Sequence, residues 1–249
     1  MEQIRSRKNQ YILHLRALAK TNDARRDAGE YVCDGEKLLR EALQFGAEVT
    51  SVLWRDAAAF PLPDGIVQYT ADAELVAYAS PLMHSPGPVF TVRIPEMCLP
   101  EPLRHVIVLE GVQDPGNVGT IIRTADAAGL DGVLLSTQCA DVFSPKVLRA
   151  TMGSIFRMNL RTTDDLPGEL TKLREKGYSI LSSQLDGTPF YERQGVAERF
   201  ALIIGNEGNG VSEQVQQTAT HRVRLPMRGG AESLNAAIAA AIMMYELMR

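Results

Sequence analysis

The chain has 249 residues, 45% of them hydrophobic and 22% charged, with a net charge of −4. That length suits one large or two modest domains with a real core, and the acidic balance argues against indiscriminate polyanion binding. No apolar run nears the roughly 18 residues of a membrane span, and the start, MEQIRSRKNQYILHLRALAK, lacks the apolar core and cleavage site of a signal peptide; no membrane association is expected, and the cytoplasm is the default location.

Taken in chain order, the first segment is basic. Residues 1–26 carry seven basic side chains (Arg5, Arg7, Lys8, Arg16, Lys20, Arg25, Arg26) against two acidic ones, a net of +5. Such an end on an acidic chain is either an electrostatic footprint for nucleic acid or the solvated face of a terminal helix. Apolar spacing over Lys8–Lys20 predicts a helix, Tyr31–Cys33 a strand, and Glu36–Phe45 a helix closed by Gly46. Strands follow at Val49–Trp54 and Val67–Tyr69, a helix at Ala71–Ala79 and a strand at Gly87–Val92, together a small α/β sandwich. PEMCLPEPLR then breaks the composition with three prolines. The expected division is therefore residues 1–95, a linker 96–104, and a second domain 105–249.

The second domain alternates more clearly. Strands are expected at His105–Leu109, Gly132–Leu135, Tyr178–Ser182, Phe200–Ile204 and Arg222–Leu225. Helices are expected at Asn117–Ala128, from Ser144-Pro145, and at Leu166–Lys176, Ser212–Ala219 and Leu234–Met248, with Asn117, Ser144, Ser212 and Ser233 as caps. This order implies a mostly parallel sheet covered on both faces, whose ligands bind beyond the carboxyl ends of its strands. Three loops leave strands there with unusual chemistry, at 110–117, 205–211 and 226–233.

Each loop alone has a bland reading. Asp114-Pro115-Gly116 is a turn before a capped helix bearing a solvent-facing Arg123. Gly205-Asn206-Glu207-Gly208-Asn209-Gly210 is an ordinary tight turn, or a loop whose backbone closes on a ligand. Pro226 and Gly229-Gly230 are a strand stop and a flexible turn. The spacing fits no dinucleotide fingerprint, and no GK[ST] phosphate loop occurs. Cys33, Cys98 and Cys139 are read as reduced thiols, and His14, His84, His105 and His221 as surface or packing side chains; no metal site is expected.

Together the loops DPGNVGTIIRTADAAG, LIIGNEGNGVS and RLPMRGGAESLNAAIAAAI resemble, in order and spacing, the three motifs of the SpoU (TrmH-type) RNA ribose methyltransferases of the SPOUT class. SPKVLRATMGSIFRM resembles the stretch between motifs one and two, and YVCDGEKLLREALQFG more loosely resembles the substrate-binding domain that often precedes them. The resemblance implies a trefoil-knotted, parallel-sheet methyltransferase domain behind a small ribosomal-protein-like α/β domain. Where members commonly have glutamate before the glycine of an EGxK-like turn, this chain has Asp34-Gly35.

The implied reaction is methyl transfer from S-adenosylmethionine to a ribose 2′-hydroxyl of RNA. Implied for the cofactor are Gly205, Leu225 and Leu234, with Ser136, Asn206 and Met227 nearby. Implied for catalysis are Arg123, Asn117, Glu207, Ser233 and Asn235. An arginine stays protonated in proteins, so Arg123 is expected to grip phosphate and polarise the hydroxyl, leaving the base open. Arg5, Arg7, Lys8 and Lys37 are the expected RNA contacts. The final helix, apolar on all sides, is expected to pack in a core or in a homodimer contact. Ribosomal RNA is favoured over transfer RNA as substrate; a non-catalytic RNA-binding protein and a base methyltransferase are the competing readings.

Overall fold

The computed structural model describes residues 1–82 and 85–249, so His84 lies outside the described residues. The chain divides into two compact units, Met1–Glu96 with Asp141–Phe156, and Met97–Ala140 with Arg157–Arg249. Segment 141–156, expected in the second domain, thus belongs to the first. Two contacts hold it there: Arg25, 4% exposed, donates to Asp141 at 2.5 and 2.8 Å, and Phe143 stacks on Tyr31 with centroids 4.7 Å apart.

The first unit runs β1 (Glu2–Gln3), α1 (Gln10–Lys20), α2 (Asn22–Ala28), β2 (Glu30–Asp34), α3 (Glu36–Gln44), β3 (Val49–Arg55), β4 (Val67–Ala71), α4 (Ala73–Ala79) and β5 (Val89–Arg93). Its sheet has the order β1-β4-β3-β5-β2, with β4 parallel to β1 and β3, and β5 antiparallel to β2 and β3. Asn9 caps α1, which buries Ile12, Leu15 and Leu18 against the sheet with Leu75 and Val76 of α4. The spacing of these apolar positions puts them on one helix face. α2 was not expected; Thr21 caps it, and its one buried side chain is Arg25.

The second unit runs β6 (His105–Leu109), α5 (Pro115–Ala128), β7 (Gly132–Ser136), then, past α6 (Pro145–Thr151) of the first unit, β8 (Asn159–Thr163), α7 (Leu166–Glu175), β9 (Ser179–Pro189), β10 (Phe200–Ile204), α8 (Glu213–Gln216), β11 (His221–Arg224) and α9 (Ala236–Leu247). All pairings in its sheet, ordered β11-β9-β10-β6-β7-β8, are parallel. The central strands are near-continuous apolar runs, as burial on both faces requires: Val106–Leu109 and Ala201–Ile203 are fully buried. One face is covered by Leu166 and Leu170 of α7 and Val215 of α8; α9 packs on α5 and on β10.

Several boundaries differ from expectation. Asp114, not Asn117, caps α5, accepting from the Asn117 N–H at 2.8 Å. Asn235, not Ser233, caps α9, accepting from Ala237 and Ile238. α6 begins at Pro145, but the buried Ser144 hydroxyl makes no cap bond. α8 is a single turn, and β8 was not foreseen.

Candidate active site

β6 and β10 are neighbours at the centre of the second unit's sheet, so the loops that follow them emerge side by side. The loop after β10 is held by its own chain. Asn206 and Gly210 exchange two backbone hydrogen bonds of 2.9 Å. The Asn206 side chain accepts from the Gly208 and Asn209 N–H groups and donates to the Gly111 carbonyl at 2.7 Å. A Cβ on Gly205 would lie 2.3 Å from the Gly210 backbone. The glycine is thus required by loop closure, where the sequence suggested close approach to a ligand. Gly210 itself takes φ +68, where L side chains are strained.

Glu110 was not anticipated. Its carboxylate accepts from the Ser212 N–H at 2.8 Å and from the Ser212 hydroxyl at 2.5 Å, tying the end of β6 to the start of α8. The only sequence signal for it is its place directly after the strand.

At the same edge Glu207, Asn117 and Asn235 form one chain of hydrogen bonds. Asn117 Nδ2 donates to Glu207 Oε1 at 2.9 Å, and Asn235 Nδ2 donates to Asn117 Oδ1 at 2.8 Å. The Gln113 and Asp114 N–H groups also donate to the Glu207 carboxylate, at 3.2 and 3.3 Å. Burial alone would raise the Glu207 carboxyl, but these donors outweigh it and hold it below the ordinary glutamate value. A carboxylate stabilised in its charged form is a weak proton acceptor, so its geometry serves orientation better than base catalysis.

The other anticipated residues are placed as follows. Arg123 is exposed on α5 and has no side-chain partner among the described residues. It stands six positions after Asn117, which turns it away from that inward-facing side chain. Ser233 is exposed and outside the hydrogen-bonded chain. Ser136, 4% exposed, accepts from the Gly111 N–H at 2.9 Å and lines, with Gly111 and Asn206, a cavity of about 410 Å³. Leu225 and Met227 are half-buried and Leu234 exposed, leaving apolar side chains uncovered in the loop after β11.

In the first unit the basic stretch is largely committed. Arg7 pairs with Glu74, Arg25 with Asp141 and Arg26 with Asp23. Arg5 donates to Gln3, and Arg16 to the Tyr78 carbonyl. Among the described residues, Lys8 and Lys20 alone of the seven have no such partner for their side chains, and Lys37 is also exposed and unpaired.

No group of three or more His, Cys, Asp or Glu side chains among the described residues could hold a metal ion. No helix among them is long and apolar enough to cross a membrane.

A parallel-sheet α/β unit with bonded polar side chains at the carboxyl ends of its strands defines a class of fold whose ligands generally bind at that edge. Residues 104–245 match the SpoU rRNA Methylase family. The chain belongs to this family. It is 36% identical over 250 residues, covering 99% of both chains, to the 23S rRNA (guanosine(2553)-2′-O)-methyltransferase RlmP of Bacillus subtilis. Among solved structures it is similar to the AdoMet-bound rRNA methyltransferase of Sinorhizobium meliloti, with TM-score 0.86 and 28% identity over 99% of this chain and 97% of that one. It is also similar to the SpoU methyltransferase AviRb of Streptomyces viridochromogenes in complex with AdoMet, with TM-score 0.83 and 26% identity over 97% of each.

Proposed function

We propose that the protein transfers a methyl group from S-adenosylmethionine to a ribose 2′-hydroxyl of RNA, with ribosomal RNA as substrate, in the cytoplasm. The observation that carries this reading is the Asn117–Glu207–Asn235 chain of hydrogen bonds in a member of this family. When bound, the cofactor supplies a methyl group on a sulfonium, and displacement there needs no metal. What the protein must supply is orientation, which can contribute on the order of 7–11 kcal/mol.

For the cofactor, the uncovered apolar side chains Leu225, Met227 and Leu234 suit a flat heterocycle. Gly205 and Asn206 hold the neighbouring loop in shape, and Ser136 fixes the turn at Gly111. For the RNA, Arg123 grips the phosphate beside the target ribose and polarises the hydroxyl, while Asn117, Glu207 and Asn235 orient the groups around it, with Ser233 at their edge. The first unit supplies most of the RNA affinity, with Arg5, Arg7, Lys8 and Lys37 facing the backbone. Because Arg7 is already paired with Glu74, Lys8 and Lys37 carry the larger share.

The reading includes a knotted C-terminal segment and a homodimer. In support of the knot, β11 lies at the sheet edge, yet α9 returns to α5 and β10. In support of the dimer, α9 has Glu246 as its one charged side chain and leaves Ile238 and Tyr245 51% and 56% exposed. Ala237, Ala240 and Met244 of the same helix are buried within the protomer.

The test is methyl transfer to ribosomal RNA from cells lacking the gene, with the product mapped for 2′-O-methyl. A ribose methyl at one position is expected. Cofactor binding without transfer would favour a non-catalytic RNA-binding protein, and a methylated base would favour the other branch of chemistry. Preferential modification of transfer RNA would overturn the substrate assignment alone. Sedimentation should show a dimer at micromolar protein, and an active monomer would refute the dimer.

A further inference from the structure

We propose that a cavity in the first unit receives one unpaired base of the RNA, with the adjoining phosphates on Lys37 and Arg149. The proposal rests on the reading that this unit contacts the RNA. The cavity, of about 190 Å³, lies between the end of β2, the start of α3 and α6. Pockets for drug-sized ligands run to roughly 300–1,000 Å³; this one suits a single ring system and not a whole nucleotide or a peptide segment. Its walls at Leu38, Pro145 and Leu148 are apolar, as a flat base face requires. Asp34 lines it too, bonded to the Ser80 hydroxyl at 2.6 Å and to the Ser85 hydroxyl. A carboxylate has about four lone-pair sites, so Asp34 keeps capacity to accept from the N–H edge of a base.

Charge favours this occupant. Lys37 and Arg149 both line the cavity, both are exposed, and neither has an ion pair among the described residues. Other arginines of this unit are neutralised, Arg40 by Glu36 and Arg93 by Glu48. Glu41 also lines the cavity, but it is engaged with a partner of its own; two exposed cations without an ion pair beside an apolar slot match a nucleotide whose base enters and whose phosphates stay in water.

The lip carries an independent sign. Met152 ends α6 at φ 49 and ψ 38, one of two non-glycine residues with positive φ among those described. The left-handed conformation is unfavourable for a methionine, and helix ends that adopt it usually take glycine. Here the side chain is kept and left 50% exposed against the cavity. A polarisable thioether there can lie on a base face.

The experiment titrates the full-length protein into a short single-stranded RNA bearing one central 2-aminopurine and follows its emission. A saturable emission change is expected with the unsubstituted protein. Met152→Gly and Arg149→Ala should each weaken the apparent Kd by about tenfold, the scale of one lost base-stacking contact. Met152→Gly should keep or raise resistance to urea, because glycine tolerates that backbone, and should leave S-adenosylmethionine binding unchanged. No emission change, or equal affinity in both variants, overturns the proposal. An altered sedimentation of the variants with unchanged emission would assign the cavity to a second copy of the chain and also overturn it. Failure of methyl transfer with an intact emission titration would instead count against the proposed reaction.

Discussion

Glu207 and Arg123 stand under opposite constraints. The Glu207 carboxylate accepts from Asn117, Gln113 and Asp114, which outweighs its burial and lowers its pKa from 4.5. A depressed folded value means stability that is present above the unfolded value and lost as pH falls through the folded one. Glu207→Gln should therefore be less stable to urea than the parent at pH 7, and the gap should close as the pH drops below the glutamate range. A gap independent of pH would show that the carboxylate charge is not what holds the loop. Arg123, exposed and unpartnered among the described residues, has no comparable structural duty. Arg123→Ala should abolish methyl transfer while cofactor affinity by calorimetry stays within a few-fold; equal loss of both would place the side chain in the cofactor site. The family motifs singled these residues out. Their connection was not legible, because Asn117, Glu207 and Asn235 meet only through the sheet's order, and chain spacing carries no sign of it.

Loops and caps show the same division at the next scale. β6, β10 and α7 lie where apolar runs and turn residues put them, since burial on both faces leaves a continuous signal. α2 escaped notice because it has no apolar face, its one buried side chain being Arg25. β8 escaped because Asn159–Thr163 buries only Leu160. Glycines were visible as loop formers, but the reason for Gly205 was hidden in the approach of Gly210. Gly205→Ala should cost about 1–3 kcal/mol by overpacking, measured by urea unfolding, with a raised KM for the cofactor; unchanged stability would mean that the loop can shift at little cost. At α9, Asn235→Ala should cost about 1 kcal/mol as a lost cap and also reduce activity through Asn117. Ser233→Ala should leave stability unchanged, since Ser233 caps nothing in the structure. Equal destabilisation by both would reverse the capping assignment.

For the whole molecule, the two units were legible in outline from the proline-rich break, but the position of 141–156 was not. Its sequence continues the methyltransferase motifs, while its contacts, Arg25–Asp141 and Tyr31–Phe143, depend on residues more than a hundred positions away. A chain beginning near Arg104 should therefore behave poorly. Val142, Phe143, Val147 and Leu148, buried now at 6% exposure or less, would lose the unit that contains them. Light scattering should show association of the truncated chain, and replacing these four by polar residues should relieve it. A monodisperse truncated protein with intact cofactor binding would show that 141–156 refolds elsewhere.

The same interleaving bears on synthesis. Domains generally fold as units while the chain grows, at roughly 5–20 residues per second. The first unit cannot close when residue 96 emerges, because its last piece ends at Phe156. For roughly 3–12 s at those rates, the sheet face that receives Phe143 waits uncovered while β6, α5 and β7 are being made. An arrested nascent chain should become protease-resistant in its first hundred residues only after 156 has cleared the ribosome.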